Sequence, residues 1–213
     1  MKAVIFDLDG VICSTDEYHY LAWKEMADGI GVYFDKVINN RLRGVSRMAS
    51  LEIILERYEG APLTDEDKVA LAAKKNDIYR NLLANMSPAD LSSVVKNTLD
   101  GLRERGLKLA IGSSSKNARF ILDRLGLGDY FDEISDGNNI TRSKPDPEVF
   151  LKASEYLGIA PSDCLVVEDA YAGVDAAIDG GFRCASIGDA YSYDRATYRL
   201  DSFDQLLDIV DKD

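Results

Sequence analysis

The sequence has no apolar run long enough to cross a bilayer, and it lacks the features of a secreted chain. A membrane helix needs about 20 consecutive apolar residues, and no such run occurs in the 213 residues. Met1 and Lys2 are followed by only four apolar residues before Asp7, so we expect no signal peptide. The sequence therefore predicts a cytoplasmic protein without a membrane partner.

Cysteines and clustered basic residues are also scarce. The three cysteines, Cys13, Cys164 and Cys184, are widely spaced and form no C-x-x-C pair. This spacing argues against a disulfide framework and a zinc site, and it fits a reducing compartment. The net charge of −12 disfavours nucleic acids and anionic membranes, which need clustered Lys and Arg. A chain of this charge that handles an anion must concentrate its few cations, or a metal ion, at one place.

Short apolar segments predict the strands of a parallel sheet. Residues 3–6, 107–111 and 164–167 are apolar without polar alternation, as in strands buried on both faces, and residues 183–187 are a weaker candidate. Between them lie amphipathic patterns, several ended by glycine, over residues 90–105, 116–125, 147–157 and 170–180. This alternation predicts an α/β fold with a doubly wound (Rossmann-like) parallel sheet.

Residues 15–86 interrupt that alternation. They contain four helical patterns with no convincing strand between them, over residues 16–29, 35–42, 48–58 and 64–84. We therefore predict an all-helical domain at residues 15–86, inserted into a discontinuous core of residues 1–14 and 87–213. The acidic tail, residues 201–213, is typical of a final helix with a solvated end.

Two acidic pairs follow predicted strands. Asp7 and Asp9 stand directly after the first strand and point the same way, because side chains alternate along an extended backbone. Two carboxylates this close repel unless a cation, a shared proton or a reacting group separates them. An isolated D-x-D-G would more often be a solvated Asx turn. Glu168 and Asp169 form the second pair, and adjacent acids also suit the first turn of a helix.

Two further strand ends carry hydroxyls and a lysine. The first has the run Gly112-Ser113-Ser114-Ser115, which suits a phosphate, although a serine helix cap is an equal alternative. The second has Lys144 in a proline-bounded loop, where an exposed lysine is the common alternative. Because ligands bind beyond the carboxyl ends of parallel strands, the sequence predicts a phosphoryl-transfer site with one Mg²⁺ per chain. The predicted ligands are the Asp7, Glu168 and Asp169 carboxylates and the Asp9 backbone carbonyl.

The four motifs, taken in order, resemble those of the haloacid dehalogenase superfamily across the whole chain. They are D-x-D-G at residues 7–10, a hydroxyl at Ser113, Lys144 before a proline, and E-D at residues 168–169. Within the superfamily, residues 42–47, 75–77, 113–117 and 143–145 are similar to the β-phosphoglucomutase group. That similarity implies interconversion of β-D-glucose 1-phosphate and glucose 6-phosphate through an aspartyl-phosphate, with glucose 1,6-bisphosphate as the activating intermediate.

The resemblance also implies roles for particular residues. Asp7 would be the nucleophile, and Asp9 would protonate the departing sugar oxygen and later deprotonate the attacking one. Ser113 and Lys144 would hold the transferring phosphoryl oxygens. Thr15, at the start of the inserted domain, would steer Asp9. A second, distal phosphate would be held by Arg47, Ser115, Lys116 and Asn117, and the less favoured alternative for Arg47 is an exposed surface residue.

The remaining implied binding residues lie mostly in the inserted domain, which acts as a cap in this family. His19 and Lys75 would reach Asp9 when the cap closes, although a structural role for His19 stays open. Trp23 would line the sugar site or pack in the cap core. The rest of the implied set is Gly44, Val45, Ser46, Ser50 and Asn76 in the cap, and Ser114 in the core.

Other functions remain open at this stage. A sugar-phosphate phosphatase on the same scaffold would pass the phosphoryl group to water, and the distal-phosphate residues argue against it. A phospho-accepting receiver also carries acids at strand ends, but it needs no helical insertion. A binding protein on an inactive scaffold is disfavoured by the intact acidic pairs and Lys144. We expect a monomer whose partner is a small phosphorylated sugar of unspecified identity.

Overall fold

The computed structural model describes residues 1–42 and 46–212. The chain divides into two compact units, Met1–Ser14 with Met86–Asp213, and Thr15–Asn85. Met86, which we predicted in the inserted domain, belongs to the first unit. Its side chain is buried, and its carbonyl oxygen accepts a hydrogen bond from Arg124 Nε at 2.9 Å.

The first unit is built on a parallel sheet. In chain order its strands are β1 (Ala3–Phe6), β2 (Lys108–Gly112), β3 (Glu133–Ser135), β4 (Cys164–Glu168), β5 (Arg183–Ser186) and β6 (Tyr198–Arg199). Among the described residues the strand order is β3-β2-β1-β4-β5-β6, and every pair is parallel. The order reverses between β1 and β4, so the predicted doubly wound sheet is confirmed. We did not predict β3 and β6, which are edge strands of three and two residues without an apolar run.

The described residues of the second unit form helices joined by loops, with no strand among them. It contains α1 (Asp16–Asp28), α2 (Lys36–Asn40), α3 (Arg47–Leu55) and α4 (Asp65–Leu83). Polar residues set where several helices begin, because their side chains accept the first backbone N–H groups. Asp35 accepts from Ile38 N–H at 2.8 Å before α2, and Thr64 forms a capping box with Asp67 before α4. An apolar cluster that includes Trp23, Met26, Phe34 and Leu51 fills the interior.

Helices connect the strands of the first unit. They are α5 (Ser93–Glu104), α6 (Ala118–Arg124), α7 (Glu148–Leu157), α8 (Tyr171–Asp179) and α9 (Gln205–Val210). We predicted α5 from residue 90, but Pro88–Asp90 forms a separate 3-10 turn and Ser92 caps the helix by accepting from Val94 N–H. Within residues 1–42 and 46–212, every helix is too short or too polar to cross a bilayer.

Candidate active site

The ends of β1 and β4 place one carboxylate from each predicted acidic pair, Asp7 and Glu168, side by side. Phe6 pairs with Val167 in the sheet register, and Asp7 N–H donates to the Val167 carbonyl oxygen at 3.0 Å. Asp7 is 8% exposed and Glu168 is 1% exposed. The buried parallel pairing therefore holds two acidic side chains in a place with little water to solvate their charge.

Lys144 bridges this pair. Its Nζ lies 2.5 Å from Asp7 Oδ1 and 2.5 Å from Glu168 Oε1. Burial alone would lower the pKa of Lys144, but the charges and hydrogen bonds of Asp7 and Glu168 outweigh it and raise the pKa above its ordinary value. Lys144 is thus a permanent cation at neutral pH, and the structure brings together three residues that we predicted from separate motifs.

Two glycines make room for the acidic pair that follows β4. Gly10 has φ +84°, and a Cβ there would overlap the Asp169 carboxylate. Gly173, in the first turn of α8, lies against Glu168 so closely that a Cβ would overlap its carboxyl group. Gly10 is part of the predicted D-x-D-G motif, but we predicted no role for either glycine. The signal was available, since each glycine follows an acidic pair at short spacing.

The raised pKa of Asp169 indicates that negative charge is concentrated at this place. Burial, and then the nearby carboxylates of Glu168, Asp7 and Asp9, raise the pKa of its carboxyl to about 8. Asp9 is only partly buried. The four acids that we predicted to converge therefore interact electrostatically, and the single ammonium of Lys144 does not balance them.

The donor set fits a hard divalent cation, although the side chains do not enclose one as they stand. Carboxylate and carbonyl oxygens are the ligands that Mg²⁺ prefers, and the raised pKa of Asp169 marks uncompensated negative charge beside it. In the part of the chain that is described, no group of three or more His, Cys, Asp or Glu side chains is arranged around a common point for a metal. Glu168, a predicted ligand, has both oxygens engaged, by Lys144 Nζ and by Ala170 N–H at 3.0 Å.

Beyond β2, backbone N–H groups of the 113–117 loop hold two of its own serine hydroxyl groups in place. Ser113 Oγ accepts from Ser115 N–H at 3.2 Å, and Ser115 Oγ accepts from Asn117 N–H at 3.2 Å. A hydroxyl that accepts from the backbone keeps its own hydrogen to donate, so both hydroxyls can bind an anion. We predicted a helix from residue 116, but α6 begins at Ala118, after Asn117 with φ −102° and ψ 9°.

The remaining residues of this loop differ in exposure. Ser113 and Asn117 are buried, whereas Lys116 is exposed. Ser114 Oγ is buried and, among the described residues, has no hydrogen-bond partner. The predicted binding residues of the core therefore form one continuous loop beside β2.

In the second unit, a buried lysine lies among aromatic rings. Lys75 is 3% exposed, and its Nζ lies 2.8 Å from His19 Nδ1. The same Nζ stands 4.8 Å from the Trp23 ring centre and 4.5 Å from that of Tyr79. Loss of solvation, then the charges of Lys75 and Arg47, lower the pKa of His19 well below its ordinary value. His19 is therefore neutral at pH 7 and accepts a hydrogen bond from Lys75.

Tyr79 belongs to this cluster and was not predicted. Its ring stacks on His19 with centroids 4.1 Å apart, and its hydroxyl donates to Thr15 Oγ1 at 3.0 Å. The signal that could have found it is spacing, because Tyr79 stands four residues after Lys75 on the same face of α4. The structure thus joins Thr15, His19, Trp23 and Lys75 in one cluster.

The other predicted residues of the second unit have local roles. Arg47 is an exposed residue, and its Nη2 donates to Asn76 Oδ1 at 2.8 Å. Ser46 Oγ accepts from Ala49 N–H at 3.3 Å, which makes it the cap of α3, and Ser50 is buried in the same helix. Gly44 and Val45 lie outside the described residues.

Comparison with known proteins identifies the family. The haloacid dehalogenase-like hydrolase family matches residues 1–181. The chain belongs to this family. It is 43% identical over 190 residues to a β-phosphoglucomutase of Bacillus subtilis, covering 88% of this chain and 84% of the relative. It is 31% identical over 183 residues to a phosphorylated carbohydrates phosphatase of Thermotoga maritima, covering 85% and 82%.

Solved structures of the family share the fold. A β-phosphoglucomutase from Clostridium difficile superposes with a TM-score of 0.89 at 35% identity, covering all of this chain and 96% of that one. The predicted membership of the haloacid dehalogenase superfamily is therefore confirmed, as is the predicted parallel-sheet core.

Proposed function

We propose that this chain is a magnesium-dependent sugar-phosphate mutase that interconverts β-D-glucose 1-phosphate and glucose 6-phosphate. The observation that carries the proposal is Lys144 Nζ at 2.5 Å from both Asp7 and Glu168. It provides a nucleophilic carboxylate with a fixed cation beside it, which phosphoryl transfer requires. The 43% identity to the mutase of Bacillus subtilis favours a sugar as the phosphoryl acceptor.

In the first half of the proposed reaction, Asp7 takes a phosphoryl group from glucose 1,6-bisphosphate. An Asp7 carboxylate oxygen forms a bond to phosphorus while the bond from phosphorus to the sugar oxygen breaks. Asp9 gives its proton to that departing oxygen. Lys144 offsets the charge on the phosphoryl oxygens, and the Ser113 hydroxyl donates a hydrogen bond to one of them.

The second half returns the phosphoryl group to the other end of a sugar phosphate. The free hydroxyl of the sugar attacks phosphorus, the bond to Asp7 breaks, and Asp9 accepts the hydroxyl proton. The bisphosphate must then bind in either orientation, so a second phosphate position is needed. We assign it on the core side to Ser115, Lys116 and Asn117. The roles predicted for Arg47, His19 and the other residues of the second unit stay predictions.

Two observations support Mg²⁺ in this proposal: the family to which the chain belongs, and the carboxylate and carbonyl oxygens at the ends of β1 and β4. When bound, it supplies positive charge that neutralises carboxylate and phosphoryl oxygens. We assign it to Asp7, Asp169 and the backbone carbonyl of Asp9, because both oxygens of Glu168 already have partners. On this assignment Glu168 holds Lys144 in place.

Phosphorus NMR separates the proposal from its main alternative. The purified chain is mixed with β-D-glucose 1-phosphate, Mg²⁺ and a catalytic amount of glucose 1,6-bisphosphate. The resonance of glucose 6-phosphate supports a mutase. Inorganic phosphate as the main product supports a sugar-phosphate phosphatase, which the 31% identity to the Thermotoga maritima phosphatase keeps as the second candidate.

The nucleophile is tested by Asp7→Asn. An amide is a poor nucleophile, so we expect turnover to fall by about 10⁴-fold or more. The exposed Asp129 serves as the matched control, and Asp129→Asn should keep its rate. Circular dichroism of both variants checks the fold. A folded Asp7→Asn variant with wild-type turnover contradicts the assignment.

A further inference from the structure

The 113–117 loop is bonded to a turn that no motif of the sequence includes. This turn, residues 135–139, follows the short edge strand β3. Gly137 N–H donates to the Ser115 carbonyl oxygen at 3.2 Å, and Asn138 Nδ2 donates to the Lys116 carbonyl oxygen at 3.0 Å. The turn therefore bonds directly to the backbone of two residues that we assign to the distal phosphate.

Gly137 also fixes the loop by close packing. A Cβ at this position would lie 2.9 Å from Lys116 N and closer still to the Ser114 carbonyl oxygen. Both neighbours are backbone atoms, which cannot rotate away as the end of a side chain can. The two backbone segments thus pack at a separation that only glycine permits.

The turn is itself firmly held. Asp136 Oδ1 accepts from Asn138 N–H at 2.8 Å, and Asn139 Oδ1 accepts from Asp136 N–H at 3.1 Å. Ser135 and Asp136 are buried at 0% and 2% exposure. At the strand itself, Ser113 N–H donates to the Ser135 carbonyl oxygen at 3.1 Å. A segment with this many internal bonds can serve as a rigid support for a neighbouring loop.

We propose that the 135–139 turn positions the 113–117 loop for the distal phosphate of the substrate, with Gly137 and Asn138 as its positioning residues. This inference rests on the proposed function. The hydrogen bonds of the two residues to this loop end on the carbonyl groups of Ser115 and Lys116. Their loss should therefore weaken binding of a distal phosphate and leave the chemistry at Asp7 nearly unchanged.

The test compares two substrates: the acceptor β-D-glucose 1-phosphate, whose phosphate occupies the distal position, and the donor acetyl phosphate, which has no distal phosphate. Asn138→Ala removes one hydrogen bond from an exposed residue, so the fold is retained. We expect KM for β-D-glucose 1-phosphate to rise about 3- to 10-fold, because a hydrogen bond contributes about 0.5–1.5 kcal/mol. The rate with acetyl phosphate, which has no distal phosphate, should change less than about twofold. Gly137→Ala should show the same split with a larger rise in KM, since backbone must shift.

A binding measurement isolates the distal phosphate from turnover. In an Asp7→Asn background, calorimetry should show weaker binding of glucose 1,6-bisphosphate when Asn138 is replaced by alanine. Asn97→Ala, an exposed asparagine on α5, is the matched control and should change neither quantity. Equal losses with both substrates would indicate general damage to the fold and overturn the positioning role, as would an unchanged KM.

The outcomes separate this inference from the proposed function. A wild-type chain that neither isomerises nor hydrolyses β-D-glucose 1-phosphate contradicts the proposed function, and the positioning role falls with it. A wild-type chain that turns the sugar over, with Asn138→Ala and Gly137→Ala indistinguishable from it, overturns the positioning role alone.

Discussion

Lys144 in the first unit and Lys75 in the second are both largely shielded from solvent, and the two lysines are compensated in different ways. In the first unit, the Lys144 side chain is 12% exposed and its Nζ contacts two carboxylates. In the second unit, Lys75 is 3% exposed and its Nζ faces two aromatic rings and a neutral histidine. Full negative charges act on the first cation, whereas two ring quadrupoles and a hydrogen bond to His19 act on the second.

The difference follows from the secondary structure that carries the partners. Parallel strands end at one edge of a sheet, so β1 and β4 deliver two acids to the same place from distant parts of the chain. Helices instead align residues three or four positions apart, so α1 and α4 supply stacked rings. Strand ends thus concentrate negative charge, whereas the helix faces place aromatic rings around a cation.

The largest expected effect comes from replacing Lys144. In Lys144→Met the Asp7 and Glu168 carboxylates lose the cation between them. We expect the free energy of unfolding to fall by about 3–5 kcal/mol, the usual cost of breaking a buried ion pair. We also expect kcat/KM to fall about 10³-fold or more, because charge on the phosphoryl oxygens is left unbalanced.

Urea denaturation and a coupled glucose 6-phosphate assay measure the two quantities. Lys212→Met, at an exposed position, is the control and should match the wild type in both. Lys75→Met sharpens the comparison, because a methionine is about as long as a lysine and packs on aromatic rings. Its unfolding free energy should change by less than about 1.5 kcal/mol. Equal destabilisation by both lysine substitutions would mean that the two sites do not differ in compensation.

A smaller effect is expected from filling the space beside Asp169. Gly10→Ala adds a Cβ where the Asp169 carboxylate lies, at φ +84°. Gly106→Ala is the matched control, because Gly106 has φ +79° with open space around it. The strained backbone should cost each variant about 1–2 kcal/mol.

Only Gly10→Ala should also lower activity and raise the Mg²⁺ concentration needed for half-maximal rate, since it moves Asp169. Titration of activity with Mg²⁺ measures this for both variants. The same Mg²⁺ requirement in the two variants would show that Asp169 does not depend on the space that Gly10 leaves.

The smallest effect is a pKa change that leaves the fold intact. The chain has a single histidine, so one NMR titration follows His19 without ambiguity. Burial, then the positive charges of Lys75 and Arg47, hold the pKa of His19 well below its ordinary value. Positive charge disfavours the imidazolium, so Lys75→Met should raise this pKa. Burial keeps it below the ordinary value of about 6.5.

Lys74→Met provides the comparison for this titration. Lys74 is the exposed neighbour of Lys75 on α4 and should leave the pKa of His19 where it is. A pKa that falls or stays constant in Lys75→Met would show that the ammonium of Lys75 does not act on the imidazole.

The strand ends were predictable because the pattern there is local. A short apolar run followed by acids places Asp7 and Asp9 after β1, Glu168 as the last residue of β4, and Asp169 directly after it. The edge strands β3 and β6 were missed, because two or three residues carry too little pattern to stand out from a loop. The 135–139 turn was missed for the same reason, although it bonds to a loop whose residues we did predict.

The sequence by itself determined the alternation of strands and helices, the helical insertion, and the order of the motifs. Hydrophobic periodicity, and the glycines and prolines that end helices and strands, are properties of neighbouring residues. Only the tertiary structure decided which atoms meet. Lys144 contacts Asp7 across 137 positions of the chain, Glu168 has both oxygens engaged, and Tyr79 completes the cage around Lys75. These pairings depend on strand register and helix packing, which bring together segments that no local pattern connects.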